Sequence, residues 1–151
     1  MFQGHLRGMA DITHDFPVFV PPGRVWEGIT TPQGLDQWWS KASRGVPALG
    51  NEYVLDFGPG YEWKAVVTAC AVERAFELEL TDADGDWTST RVGFALSPIK
   101  NGTQVRFHHT GWPEPNDHYR TSSFCWAMYL RILKRWLEHG EIVPYERRLD
   151  V

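Results

Sequence analysis

The chain has 151 residues, of which 42% are hydrophobic and 23% charged, and its formal net charge is −4. This length fits one domain that buries about two thirds of the surface of its unfolded chain. The chain has no basic stripe, which argues against a nucleic-acid partner, and it lacks the apolar run of about 18 residues that a membrane span needs. Because Cys70 and Cys125 stand alone, we expect free thiols and a cytoplasmic protein.

Met1–Gly8 are expected to carry no function. Phe2–His5 (FQGH) resembles the remnant of a protease-cleaved tag, with Met9 as the native start, and an ordinary disordered tail is the alternative. The pattern of a secretion signal, a basic region followed by an apolar one, is not found there. We therefore expect a disordered N-terminus over residues 1–10 and a single domain over residues 11–151.

The chain begins with one predicted strand and two short helices. Asp11–Val20 alternates between apolar and polar residues, as a half-buried strand does, and Pro17 favours a position at the sheet edge. Arg24–Thr30 is predicted to be a short helix. A second short helix follows, with Thr31 as its N-cap and Pro32 at its first position.

Five further strands are predicted after a loop over Ser40–Gly50. Asp84–Gly85 and Asn101–Gly102 are typical hairpin turns. The alternating segments are Tyr53–Phe57, Trp63–Ala69, Phe76–Leu80, Thr88–Leu96 and Val105–His109.

Ser122–Gly140 is the longest predicted helix and the element around which the chain is organised. Ser122 or Ser123 is expected to cap its start and Gly140 to end it. At 100° per residue its apolar side chains cover an arc of roughly 160°. This arc contains Trp126, Tyr129, Leu130, Ile132, Leu133, Trp136 and Leu137.

The order of elements predicts an α+β fold, in which an antiparallel sheet has one solvent-exposed face and one face covered by the long helix. The aromatic share of 14%, with eight Trp, is more than packing alone usually requires. Bulky rings on a curved sheet line a cavity as readily as they fill one. The aromatic count therefore raises the question of a ligand pocket beneath the helix.

The sequence gives little sign of metal, nucleophile or phosphate chemistry. His108 and His109 are adjacent on a strand and point to opposite faces, so they cannot share a metal ion. Neither cysteine stands in a catalytic motif, and the chain has no Gly-x-Ser-x-Gly turn. Gly58–Pro59–Gly60 lacks the lysine and following helix of a phosphate loop. We therefore predict no metal, no cofactor and no assignable catalytic residue.

His109 is the most informative polar residue of the predicted core. His109 lies two residues after Phe107 and four after Val105 on the same predicted strand, so its side chain points to the same inward face as theirs. Burying a polar group on that face costs free energy unless the group is hydrogen-bonded. One interpretation is a structural histidine bonded to the backbone of the next loop. The other is a polar anchor, or a general acid or base, for a ligand.

Four motifs in order resemble the START-like superfamily, and most closely the family of homologues of the activator of Hsp90 ATPase. The resemblance covers the chain from about Asp11 to Gly140. The motifs are Val25-Trp26-x-x-Ile29-Thr30, Leu35-x-x-Trp38-Trp39, Gly102-Thr103-x-Val105 leading to His109-x-Gly111-Trp112, and Trp126-x-x-Tyr129-Leu130-x-x-Leu133-Lys134 with Leu137-Glu138-x-Gly140.

The resemblance implies a helix-grip fold, in which a bent antiparallel sheet wraps around the C-terminal helix and leaves a cavity between them. Members bind or act on apolar small molecules, and relatives include polyketide cyclases and lipid carriers. True Hsp90 activators carry an additional N-terminal domain that this sequence lacks. Co-chaperone activity is therefore not implied, and no family-wide catalytic motif maps onto this chain.

Our leading hypothesis is a protein that binds a small apolar or aromatic molecule between sheet and helix. A cyclase or hydrolase acting on such a ligand is the first alternative, and it needs a second acid or base near His109. A chaperone-associated interaction module is the second alternative, and a homodimer is compatible with all three. A cavity of roughly 300 Å³ or more would favour ligand binding, whereas a filled core would favour interaction. The predicted ligand-binding residues are Trp38, Tyr53, Phe57, Trp63, Phe76, Phe94, Phe107, His109, Trp126 and Tyr129.

Overall fold

The computed structural model describes residues 10–151, and within this range a curved sheet packs against one long helix. The strands are β1 (Ala10–Val18), β2 (Ala42–Arg44), β3 (Glu52–Asp56), β4 (Glu62–Ala71), β5 (Ala75–Asp82), β6 (Arg91–Ile99) and β7 (Gly102–Trp112). The helices are α1 (Pro22–Thr30), α2 (Pro32–Trp38) and α3 (Asp117–His139), followed by a 3₁₀ helix (Tyr145–Asp150).

The seven strands form one antiparallel sheet in the order β1-β7-β6-β5-β4-β3-β2. The edge position predicted for the first strand from Pro17 is confirmed, because β1 pairs only with β7. The register shifts after Lys64 and after Val67 in β4. Such bulges bend a strand and increase its twist, which helps the sheet to curve around α3. The predicted α+β helix-grip architecture is confirmed.

The two short helices form a tight corner that carries Trp38 and Trp39. Thr31 caps α2 as predicted, since its side chain accepts a hydrogen bond from the Gly34 amide at 3.0 Å. A Cβ atom at Gly34 would lie 2.5 Å from the carbonyl oxygen of Glu27, so only glycine permits this close crossing of α1 and α2. The corner presses α2 against the core.

Helix α3 starts five residues earlier than the sequence indicated. Asn116, rather than Ser122 or Ser123, is the N-cap, and its side chain accepts from the Tyr119 amide at 2.9 Å. The capping prediction was therefore wrong, and Ser122 is instead buried inside the helix. The predicted end is confirmed, with Gly140 in the left-handed conformation at φ 68°.

Two further elements lie outside the predictions. The short strand β2 forms within the predicted loop Ser40–Gly50 by pairing with β3, and the C-terminal 3₁₀ helix was not predicted. Three residues with little apolar alternation give no periodic signal for β2. Residues 1–9 of the expected N-terminal tail lie outside the described residues, and Ala10 already belongs to β1. Among residues 10–151, the helices are too short or too polar to cross a membrane.

Candidate functional site: an aromatic pocket beneath the long helix

A pocket of about 210 Å³ lies where the N-terminal half of α3 meets α2 and the ends of several strands. Each element contributes at least one large side chain: α2 ends at Trp39, Phe57 follows β3, and Trp63 belongs to β4. Trp87 comes from the β5–β6 loop. The lining consists of Trp39, Phe57, Trp63, Trp87, His118, Thr121, Ser122, Cys125, Trp126 and Tyr129.

Five of these lining side chains form a closed ring of aromatic contacts, hereafter the aromatic ring. Around it, the centroid distances are 5.6 Å from Trp39 to Phe57, 4.9 Å from Phe57 to Trp63 and 5.1 Å from Trp63 to Trp87. Trp87 then lies 5.6 Å from Trp126, and Trp126 lies 5.1 Å from Trp39, which closes the ring. Neighbouring aromatic side chains at these distances stabilise one another, so the wall is held in place before any ligand arrives.

The β5–β6 loop holds Trp87 in this ring through local hydrogen bonds. The Trp87 amide donates to the Asp84 carbonyl at 2.9 Å, and the Thr90 hydroxyl donates to the Trp87 carbonyl. Thr88 ties the loop back to Ala83 at 3.0–3.1 Å. These bonds replace the strand pairing that the loop lacks and fix the position of the indole.

Thr121 is the one exposed residue of the described lining, so the side of the pocket at Thr121 and His118, near the start of α3, is taken as its mouth. The Nδ1 atom of His118 is 2.9 Å from an Asp86 carboxylate oxygen, and its Nε2 atom is 3.9 Å from Asp84. The hydrogen bond from His118 lowers the pKa of Asp86. Asn116 also approaches Asp86, at 3.4 Å. The mouth therefore carries two carboxylates around one imidazole.

His109 lies directly behind the aromatic ring, and both of its ring nitrogens have protein partners. Trp126 donates its indole N–H to Nδ1 at 3.0 Å, and Nε2 is 2.8 Å from the Thr90 hydroxyl oxygen. Because Thr90 donates its own proton to the Trp87 carbonyl, its oxygen must accept from Nε2–H. This assigns a neutral imidazole with its proton on Nε2.

Burial is the main reason why the pKa of His109 is lowered to about 3, and the charges of His108 and His118 add to the effect. Protonation would place a second N–H on Nδ1, against the indole donor of Trp126. The described core already contains two buried indole N–H groups without a partner, those of Trp87 and Trp112. A charged His109 would add a third donor to this region, so the neutral form is strongly favoured.

Two ionisable groups of the wall are also shifted by burial. Burial raises the pKa of the Cys125 thiol and raises the pKa of Tyr129 to about 12. Both groups are therefore uncharged at neutral pH. They contribute polar but neutral contacts to a mostly aromatic surface.

The C-terminal 3₁₀ helix stabilises the pocket through hydrogen bonds to the backbone near two lining residues, Trp39 and Phe57. Arg148, only 5% exposed, donates to the backbone carbonyls of Val143 at 3.3 Å and Ser40 at 3.0 Å, and also to that of Asp36. Tyr145 donates its hydroxyl to the Phe57 carbonyl at 2.9 Å. These bonds hold the chain on either side of Trp39 and directly at Phe57. No sequence pattern pointed to Arg148, because its partners are backbone atoms and two of them, at Ser40 and Asp36, lie far away along the chain.

The structure divides the ten predicted site residues into two groups. Phe57, Trp63, Trp126 and Tyr129 line the pocket. The remaining aromatic residues do not line this pocket and pack elsewhere in the core, and His109 stands between the two groups. The core group comprises Trp38, Tyr53, Phe76, Phe94 and Phe107.

Several lining residues were not predicted. Trp38 was predicted to line the site, but its neighbour Trp39 reaches the pocket, whereas the Trp38 indole donates to the Gly28 carbonyl at 2.9 Å. Trp87 lies in a loop, where alternation carries no information. The predicted opposite orientation of the paired histidines is confirmed, since His108 bonds outward to Glu77 at 2.7 Å. Among residues 10–151, no group of three or more His, Cys, Asp or Glu side chains has the geometry for a metal.

A curved antiparallel sheet gripping a C-terminal helix over an internal pocket defines a member of the START-like superfamily. The model of the family described as "Activator of Hsp90 ATPase homolog 1-like protein" matches residues 20–138. The chain belongs to this family, which confirms the resemblance found in its motifs. A search of curated proteins finds no sequence that matches.

Solved structures share the fold across nearly the whole chain. The Aha1 dimer from Colwellia psychrerythraea is 26% identical with a TM-score of 0.79, over 87% of this chain and 98% of that one. MLL2253 from Mesorhizobium loti is 20% identical with a TM-score of 0.76, over 88% and 100% of the two chains. CalU16 from Micromonospora echinospora is 19% identical with a TM-score of 0.70, over 87% and 67%.

Proposed function

We propose that this protein binds a small apolar or aromatic molecule in the pocket beneath α3. The observation that carries the proposal is the aromatic ring, whose five members all line one cavity of about 210 Å³. A cavity lined by aromatic side chains with a few polar groups is the usual form of a small-molecule site. The cavity is smaller than the roughly 300 Å³ set above as the size that favours ligand binding, so its aromatic lining, rather than its size, supports the proposal over an interaction module.

The volume limits the ligand to a compact group. Pockets that enclose drug-sized molecules span about 300–1,000 Å³, and the present pocket is smaller than this range and smaller than the sequence-based expectation. His109 supports the wall rather than offering a free nitrogen, because Trp126 and Thr90 already bond to both of its nitrogens. The polar contacts to the ligand then come from Ser122, Cys125 or Tyr129.

A competition for space tests this proposal. Cys125→Phe places a ring inside the pocket, whereas Ala127→Phe adds the same ring two residues along the same helix, at a separate cavity of about 250 Å³ between β1 and α3. The neutral fluorophore 1-aminonaphthalene should bind wild type and Ala127→Phe with similar affinity, and Cys125→Phe at least about tenfold more weakly, with all three proteins folded. Equal affinities for all three would refute the pocket as the binding site.

A second candidate function is proton transfer to or from the bound molecule. It is favoured by His118, which lines the pocket and whose Nδ1 is held by Asp86 at 2.9 Å. A carboxylate that orients one ring nitrogen leaves the other available as a general base. His118→Gln should abolish turnover of a cyclisable or hydrolysable ligand while binding of 1-aminonaphthalene persists. Turnover that is unchanged in this variant would exclude the enzymatic role of His118.

We also propose a homodimer, on the basis that the Aha1 relative from Colwellia psychrerythraea is a dimer. The outer edge of β1 is free of strand pairing among the described residues and offers one surface for such a contact. Sedimentation equilibrium at micromolar concentration should give about twice the monomer mass of 17.4 kDa. A mass equal to the monomer up to hundreds of micromolar would contradict the proposal.

A further inference from the structure

We propose that the group bound inside the aromatic ring is a methylated ammonium cation. This inference rests on the proposed ligand-binding function and narrows it: the end of the ligand that enters the pocket is a cation whose outer surface consists of apolar methyl groups. It follows from three features of the site: the electron-rich indole surfaces, the absence of cationic residues in the described lining, and the carboxylates at the mouth.

The aromatic ring has the composition that favours a cation. Four of its five members are tryptophan, whose indole is the best side chain for a cation–π interaction. Such an interaction requires the cation within about 6 Å of the ring centroids, and it strengthens when water is excluded. All five side chains line the same pocket and their neighbouring centroids lie 4.9–5.6 Å apart, so a group bound there is within reach of several aromatic side chains at once.

The charge distribution around the pocket points the same way. Among the described residues that line it, none is lysine or arginine. Asp86 and Asp84 both approach His118 at the mouth, at 2.9 and 3.9 Å. A carboxylate or phosphate group would meet these negative charges on entry and would find no cationic partner inside. A cation is attracted at the mouth and stabilised by the indoles.

The lining also distinguishes among cations. A metal ion or a primary ammonium is strongly hydrated and needs several oxygen or nitrogen partners in place of its water. The wall offers only neutral polar groups, those of Ser122, Thr121, Cys125 and Tyr129, beside the single imidazole of His118. A methylated ammonium carries its own apolar shell and therefore loses little on entering. Its compact shape also suits a cavity of about 210 Å³.

Two probes of nearly identical shape test the charge directly: choline and 3,3-dimethylbutan-1-ol, in which carbon replaces the nitrogen. Isothermal titration of the folded wild-type protein should show choline binding at least about tenfold more tightly than the alcohol. Equal or tighter binding of the alcohol would refute the proposal that the bound group is a cation, but it would leave the proposed ligand-binding function standing. Binding of 1-aminonaphthalene without any binding of choline would overturn it as well. If 1-aminonaphthalene also fails to bind, the proposed function itself is wrong.

A pair of tryptophan variants locates the effect. Trp63→Leu removes one π face from the ring but keeps an apolar side chain, and Trp26→Leu is the control, since Trp26 contacts Phe76 on the core side. Trp63→Leu should weaken choline about tenfold and the alcohol less than threefold, with Trp26→Leu near wild type. Equal losses for both probes would indicate shape rather than charge and would contradict the proposal. The wild-type comparison stands independently if Trp63→Leu does not fold.

Discussion

The indole N–H of Trp126 donates to Nδ1 of His109 across 3.0 Å, and this bond joins the long helix to strand β7 inside the core. Trp126 is also a member of the aromatic ring, and it contacts Trp39 and Trp87. This buried hydrogen bond therefore fixes the orientation of the Trp126 indole, which contacts two other residues of the pocket wall. His109 is therefore a positioning residue for the site.

Replacing His109 should cost stability because two buried groups lose their partner. In His109→Ala, the Trp126 N–H is left unpaired and the Thr90 hydroxyl loses its donor, so we expect a loss of at least about 1–3 kcal/mol. His108→Ala is the matched control, because the neighbouring His108 lies outward on the same strand and is 30% exposed. Urea unfolding of both variants measures the difference. Equal, small losses would show that the buried bond contributes little.

The stability of the fold should depend on pH through His109. Its folded-state pKa of about 3 lies below the unfolded value of about 6.5, so the unfolded chain binds the extra proton between these values. Stability is therefore complete above about pH 6.5 and falls as the pH drops towards 3, with a slope approaching about 1.4 kcal/mol per pH unit. His109→Asn should remove this part of the slope. Parallel pH profiles for wild type and variant would contradict the assignment.

Leu133 tests the buried face of α3. It is completely buried in the centre of the predicted apolar arc, so Leu133→Ala should cost about 2–5 kcal/mol. Arg131→Ala, on the exposed side of the same helix turn, should change stability by less than about 0.5 kcal/mol. Chemical unfolding of the two variants gives both values. A loss below about 1 kcal/mol for Leu133→Ala would mean that the helix packs differently.

Arg148 should anchor the C-terminal segment. Arg148→Met removes a charged donor from the carbonyls of Val143, Ser40 and Asp36, and we expect a loss of at least about 2 kcal/mol. Arg147→Met provides the control, because Arg147 is exposed in the same 3₁₀ turn. Thermal unfolding distinguishes the two. Similar transition temperatures for both variants would show that the segment is not fastened through Arg148.

The periodic spacing of apolar residues predicted most of the fold, because each strand or helix must place its apolar side chains on the face that is buried. The alternation in β5 and β7 and the arc of α3 each record which face meets the core, and these elements formed as expected. Short or locally determined features escaped prediction. Three-residue β2 exists only through its pairing with β3, and the cap at Asn116 depends on one side-chain hydrogen bond.

Only part of the site could be predicted, because alternation along a strand identifies which side chains point inward but not how deeply each one is buried. Trp63 and Phe76 are each the second residue of their strand, but Trp63 reaches the pocket whereas Phe76 is covered by Trp26 and Tyr53. Trp87 belongs to a loop, so its place in the aromatic ring follows from tertiary contacts alone. The high tryptophan count and the family resemblance were the sequence signals for a site of this kind.

The central claim, that the aromatic ring encloses a ligand, is tested most directly by the indole N–H resonances of a ¹⁵N-labelled sample. Titration with 1-aminonaphthalene should shift the signals of Trp39, Trp63, Trp87 and Trp126, assigned through single Trp→Phe variants. Trp26 and Trp136 do not line the pocket and should remain near their starting positions. Saturable shifts confined to the four ring indoles are the predicted result. Shifts centred on Trp26 or Trp136, or spread equally over all eight tryptophans, would contradict the account.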